Sequence, residues 1–248
     1  MRKTAIAAIL VLASYVGASA WRLPNVEVLR DHDPDSTAFM GFRQAQALRQ
    51  GAEFRPYQVW TPLERFSPNL VNAVLIAEDD TFYRHNGFDL DQIREAVRVD
   101  LKKRRYAYGG STLTQQLARN LYLSPDKTLS RKLREAFIAW KLERHLSKRR
   151  ILELYLNVAE WGPGVYGVQA ASRTYFSKDA SELTVEEAVA LACTPPSPRR
   201  FHPFARTEKL VRRRENVLQR MREAGFVPAE LPAEPAGFQG PASEVSAL

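Results

Sequence analysis

Apolar residues in this chain recur at helical spacing along most of its length, and no stretch of useful length alternates as a strand would. Leu113, Leu117 and Leu121 stand four apart behind a Gly-Gly pair, which is one face of a helix from Thr112 to Leu121. Ser67-Pro68 opens another, with proline in the first turn and Leu70, Val71, Val74 and Leu75 periodic up to Glu78. Further helices are expected over 90–101, about 128–146, 148–157, 167–176 and about 207–224, the last ending at Gly225. Thr184-Val185-Glu186-Glu187 fits a capping box opening a helix to Cys193, which Pro195, Pro196 and Pro198 then stop. The fold class is mainly α, in one domain over residues 66–227. Residues 24–65, with prolines at 34, 56 and 62, read as a linker into that domain, and 228–248 as a disordered tail.

The first 23 residues read as a membrane anchor or a signal segment. Arg2 and Lys3 precede an uncharged run from Thr4 to Ala20, flanked by Trp21 and Arg22. An uncleaved anchor is favoured over cleavage at Ala18-Ser19-Ala20, and the positive flank places the rest of the chain on the outer, periplasmic side of the inner membrane. That location argues against nucleic acid as the partner of a chain with net charge +8, and leaves anionic lipid or phosphorylated substrates. The single cysteine, Cys193, lies in an apolar run and reads as an inert buried thiol. Four scattered histidines form no zinc-ligand spacing.

Three polar clusters carry the chemistry: EDDTFYRHNGFD at 78–89, GGSTLTQQLARN at 109–120 and RKLRE at 131–135. Glu78 ends an apolar helix, so it is expected half-buried beside Asp79 and Asp80, where desolvation and neighbouring acids make a carboxylate a stronger base. Ser111 is the expected helix N-cap, and the free N–H groups there favour an anion. Gln115 and Gln116 add amide donors for sugar hydroxyls and phosphate oxygens. Arg131 and Glu135 stand at i, i+4, a spacing that also fits a plain surface ion pair.

The clusters match Glu-Asp-x-x-Phe-x-x-His-x-Gly, Gly-Gly-Ser-Thr-x-x-Gln-Gln and Arg-Lys-x-x-Glu in order. KRRILELYLN (148–157) and the segment 167–203 extend the match. Together these motifs, over roughly residues 60–205, resemble the peptidoglycan glycosyltransferase family that polymerises lipid II, most closely its monofunctional members. Ser124-Pro125-Asp126-Lys127 fits Ser-x-x-Lys, but no Lys-Thr-Gly follows, so Ser124 reads as a turn residue rather than part of a transpeptidase.

The resemblance implies a lysozyme-like helical glycosyltransferase domain behind one N-terminal anchor. It also implies inverting β-1,4 polymerisation of lipid II, with release of undecaprenyl diphosphate. Glu78 is then the general base, and Glu135 orients cations or the acceptor. Asp79, Phe82, His85, Gly110, Ser111, Thr112, Gln115 and Gln116 line the substrate site, with His85 expected to hold its loop by a hydrogen bond. Arg119, Lys127, Arg131, Lys132 and Arg134 are the cations for two diphosphates; helical spacing favours Lys132 and Arg134 over Arg131. A diphosphate departs without a proton donor, so one base plus several cations is the expected inventory, whereas a glycosidase needs a carboxyl pair.

The sequence departs from the family at three places near the site: Tyr108 before the Gly-Gly pair, Arg119 where lysine is common and Lys127 where arginine is common. No dedicated metal ligands are visible; a divalent cation, Mg or Mn, assisting the diphosphate is left open. Partners expected are lipid II, the growing lipid-linked glycan, the membrane and a transpeptidase or other cell-wall synthase. Two other readings stay open at this point: a peptidoglycan-cleaving lysozyme-like enzyme, and a non-catalytic membrane-tethered cell-wall scaffold.

Overall fold

The computed structural model describes residues 23–103, 110–126, 128–195 and 202–228. Among them lie nine α-helices: α1 (Ala38–Arg49), α2 (Pro68–Glu78), α3 (Leu90–Lys103), α4 (Leu113–Tyr122), α5 (Leu129–His145), α6 (Lys148–Val158), α7 (Val168–Phe176), α8 (Val185–Ala192) and α9 (Glu208–Glu223). Their starts follow from local chemistry. Thr128, Ser147 and Thr184 each accept a backbone N–H of the first turn, satisfying donors that a helix end leaves orphaned. Thr184 completes the expected capping box with Glu187. Proline at the start of α2 loses nothing there, because its missing N–H would have had no partner.

The core forms around α4 and α6. Leu113, Leu117 and Leu121 are buried at their fourfold spacing, and α6 buries every residue from Ile151 to Val158 except Glu153. The helix α4 packs between α5 and α6, while α2 lies against α8 and α9. Tyr155, Trp161, Phe82 and Leu70 are among the largest fully buried side chains.

One expectation is corrected. Residues 24–65 are not a linker: Val26, Leu29 and Met40 are buried, α1 packs on α4, and a short strand joins a sheet. Arg150 of α6 straps this segment down, donating to the carbonyls of Leu29 (2.7 Å) and His32 (3.0 Å) and to Asp33 (2.6 Å). Beside the helices lies a small sheet of strands β1 (Tyr57–Gln58), β2 (Glu160–Gly162) and β3 (Val165–Tyr166), ordered β1-β3-β2, in keeping with a mainly α class. The β1–β3 pair is parallel and the β2–β3 pair antiparallel.

Residues 1–22 of the expected anchor lie outside the described residues, as do Arg104, Arg105, Lys127 and the tail beyond Pro228. Among the described residues no helix is long and apolar enough to cross a membrane.

Candidate active site

The first turn of α4 joins all three polar clusters. Lys132 Nζ donates to Ser111 Oγ at 2.6 Å, Thr112 Oγ1 to the carbonyl of Gly87 at 2.8 Å, and the Leu113 N–H to Asp79 Oδ2 at 2.8 Å. One turn further, Gln116 Nε2 donates to Glu78 Oε2 at 2.9 Å. The N-cap is Thr112 rather than the expected Ser111. Its hydroxyl accepts the Gln115 N–H while Gln115 Oε1 accepts the Thr112 N–H, a reciprocal box. Thr112 and Gln115 are therefore engaged in building the helix end and are buried. Ser111, released from capping, is half-exposed with its hydroxyl on a cation.

Glu78 is the last residue of α2, and its side chain is only 8 % exposed. Gln116 holds one carboxylate oxygen; Arg213 of α9 holds the other, at 2.7 Å, and also donates to the Ala77 carbonyl at 3.1 Å. Burial raises the Glu78 pKa above its ordinary 4.5, opposed by Arg213, the Gln116 hydrogen bond and Arg119, and assisted by the charge of Asp79. The result is a desolvated carboxylate with a stronger hold on a proton, as a general base requires.

Asp79, Phe82 and His85 build the loop after this base. Asp79 is buried and accepts from His85 Nε2 at 2.9 Å, while the Gly87 N–H donates to His85 Nδ1 at 3.1 Å. Because Nδ1 accepts, Nε2 carries the hydrogen, which fixes the tautomer. Phe82 is in the core, and Lys148 Nζ lies 4.3 Å above its ring. Lys148 also pairs with Glu143 (2.8 Å), which accepts from Thr114 of α4. Gly87 adopts φ +88°, and a Cβ there would meet Glu143 Cγ at 3.1 Å, so the loop packs against α5 as only glycine permits. Gly110 is half-buried, its Cα side facing Ala96 of α3.

Glu135 is fully buried with both oxygens occupied, one by Arg131 and one by Lys132. The pair of cations thus converges on one buried carboxylate, and Arg131, the cation least favoured from helical spacing, shares it equally. Arg131 and Arg134 also line a cleft of about 320 Å³ with Tyr122, Ser124, Thr128 and Ser130. Arg134 Nε is buried there without a hydrogen-bond partner among the described residues. Ser124 donates to Asp126 within its turn. Arg119 is half-buried on α4 and acts electrostatically on Glu78. Among the described residues no three His, Cys, Asp or Glu side chains come together in a way that could hold a metal ion.

Sequence reasoning missed Arg213 and Tyr155. Arg213 stands 135 residues from Glu78, in a helix legible only as basic. The one available signal was its spacing: Arg213 and Arg220 are seven apart, two turns on one face, and Arg220 reaches Asp80 and the Ile76 carbonyl (3.1 Å). Tyr155 lay within a recognised motif without a role.

The transglycosylase family model matches residues 45–222. The chain is 43% identical to the biosynthetic peptidoglycan transglycosylase of Chromobacterium violaceum over 211 residues, covering 85% of this chain and 92% of that protein. It is 44% identical to the protein of the same name from Nitrosospira multiformis over 206 residues, 83% and 90% of the two chains. Against that from Azoarcus sp. the identity is 45% over 181 residues, 73% and 78% of the two chains.

Proposed function

The chain belongs to the transglycosylase family and is a peptidoglycan glycosyltransferase, and from that premise we propose how its residues polymerise lipid II. The acceptor's 4-hydroxyl attacks C1 of the donor sugar, its proton passes to Glu78, and the donor's lipid diphosphate leaves with the C1–O bond. Attack opposite the departing diphosphate inverts the α-linkage to β-1,4. The observation that carries this reading is the Glu78 carboxylate, buried, with one oxygen on Gln116 and one on Arg213, and its pKa raised by desolvation.

Charge on the leaving diphosphate is met by cations rather than by an acid. Arg131 and Lys132, held in place by Glu135, and Arg134 in its cleft support that role, with Arg119 nearer the base. Lys127 belongs to the same proposal from its sequence position. Glu135 orients the cations and takes no proton in this scheme. Asp79, Phe82 and His85 shape the loop, and Ser111 and Gln116 are the neighbours of the reacting groups.

We place the domain on the outer face of the inner membrane, tethered by residues 1–23. Supporting this, α5 carries an outward apolar stripe opposite its buried face. Leu129 is 79 % exposed and Trp140 49 %; Leu133, Ala136, Phe137 and Trp140 join Phe88 in an apolar trough of about 360 Å³. The described chain begins at that helix: Lys141, next to Trp140, donates to the Pro24 carbonyl at 2.8 Å. A tether over residues 1–23 fits a domain that turns this stripe towards the bilayer. A transpeptidase or other cell-wall synthase is the proposed partner for the glycan made there.

The test is polymerisation of labelled lipid II in detergent, with products separated by length. Wild-type protein forms polymer; Glu78→Gln loses about 10²–10⁴-fold in turnover while still binding lipid II. Near-normal polymerisation by the variant sinks the assignment of the base.

A further inference from the structure

The ring of Tyr155 is 1 % exposed, on α6, and its hydroxyl donates to Gln116 Oε1 at 3.3 Å. The opposite end of that amide is the donor on Glu78. We infer that Tyr155 is a positioning residue for the base, acting through Gln116 to hold the Glu78 carboxylate in its proton-accepting form. The inference rests on Glu78 being the base.

A primary amide has one accepting end and one donating end, and an ionised carboxylate only accepts. Ionised Glu78 therefore requires Gln116 to present Nε2, which leaves Oε1 facing away, in need of a donor. Tyr155 is that donor. Turned round, the amide would set Oε1 against Glu78 Oε2, acceptor against acceptor, unless Glu78 held a proton. The orientation of Gln116 and the protonation of Glu78 are thus coupled, and the tyrosine hydroxyl favours the orientation that goes with the anion. Burial, and then the charge of Glu78, push the phenol well above its ordinary 10, so it remains a donor throughout the working range.

The other groups acting on this carboxylate are Arg213 from α9, Arg119 from α4 and Asp79 beside it, and its charge in turn reaches the Cys193 thiol at the C-cap of α8. Arg213 occupies Oε1, so Gln116 is the partner of the other oxygen and, among the described residues, the hydrogen-bonded path from Tyr155 to it. A purely structural Tyr155 would act through its ring alone, and phenylalanine would replace it.

The experiment compares pH profiles of kcat with lipid II for wild type, Tyr155→Phe, Gln116→Leu and the double variant, with folding checked by thermal melting. Tyr155→Phe is expected to move the acid limb up by about 0.5–1 pH unit, as loss of one hydrogen bond implies, with rates converging on wild type at high pH. Adding Tyr155→Phe to Gln116→Leu is expected to move the limb no further. An unmoved limb in Tyr155→Phe, with or without a uniform drop in kcat, overturns the inference. A limb that moves equally in both backgrounds overturns the route through Gln116. Glu78→Gln is run alongside: if it retains activity, the base assignment itself has failed, whereas an inactive Glu78→Gln with an unmoved Tyr155→Phe limb removes only the tyrosine's role.

Discussion

At Glu78 two opposed influences act on one proton. Burial favours the neutral acid, and Arg213 at 2.7 Å favours the anion. The net shift is upward, so the base is protonated, and turnover lost, as pH falls through a value above the ordinary 4.5. Replacing Arg213 by Met removes the largest of the influences that oppose burial, leaving the Gln116 hydrogen bond and Arg119. The acid limb of kcat/KM should then move up by about one pH unit or more, and activity below it should fall about tenfold or more; Arg213→Lys should recover part of the loss. A profile of Arg213→Met that superimposes on wild type would show that this arginine does not tune the base. Glu78 itself was legible in the sequence, because an acid closing an apolar helix must be partly desolvated. Arg213 was not, since nothing local tells which of several arginines on a basic helix finds a distant carboxylate. The cap was misread for a related reason: Ser111 and Thr112 are equivalent candidates by type, and only the reciprocal bond to Gln115 selects Thr112.

The element that matters most is the N-terminal end of α4 with Ser111 before it, where bonds to Gly87, Asp79, Glu78 and Lys132 converge. The loop it receives is seated on α5 by Gly87. Gly87→Ala combines a positive φ with a 3.1 Å approach to Glu143, and should cost about 1–3 kcal/mol in denaturant unfolding together with activity. Beneath the loop, Glu143 and Lys148 pair in a largely buried setting, with side chains 6 % and 20 % exposed. Glu143→Gln or Lys148→Met alone should destabilise by about 3–5 kcal/mol, since each strands a buried partner. Replacing both should cost less than the sum, which a double-mutant cycle measures directly. Most helices were readable from caps and fourfold apolar spacing. The exceptions have physical causes: α1 buries only Met40 and so carries no apolar face to detect, and strands of two or three residues are shorter than any alternation can register.

Across the whole molecule, the N-terminal segment, α5 and α6 form one connected side. Arg150 holds residues 29–33, Lys141 holds Pro24, and Arg30 returns to the His145 carbonyl at 3.2 Å. If the exposed apolar stripe of α5 faces a bilayer, as proposed above, its contribution should depend on lipid. Substituting serine at Leu133, Phe137 and Trp140 together should reduce polymerisation on vesicles several-fold, with activity in detergent nearly unchanged; equal losses in both media would assign the stripe to folding. The polar motifs located the site in the sequence, but its assembly from helices at opposite ends of the chain is a tertiary fact.

That assembly sets an order of events during synthesis. The carboxylate and its arginine are 135 residues apart, so at about 5–20 residues per second many seconds separate their emergence from the ribosome. Until α9 arrives, the chain already carries every recognised motif, yet its base lacks its salt-bridge partner. A nascent or prematurely terminated enzyme should therefore share the raised acid limb expected of Arg213→Met, and polymerise the lipid-linked precursor less well at low pH than the finished copy does.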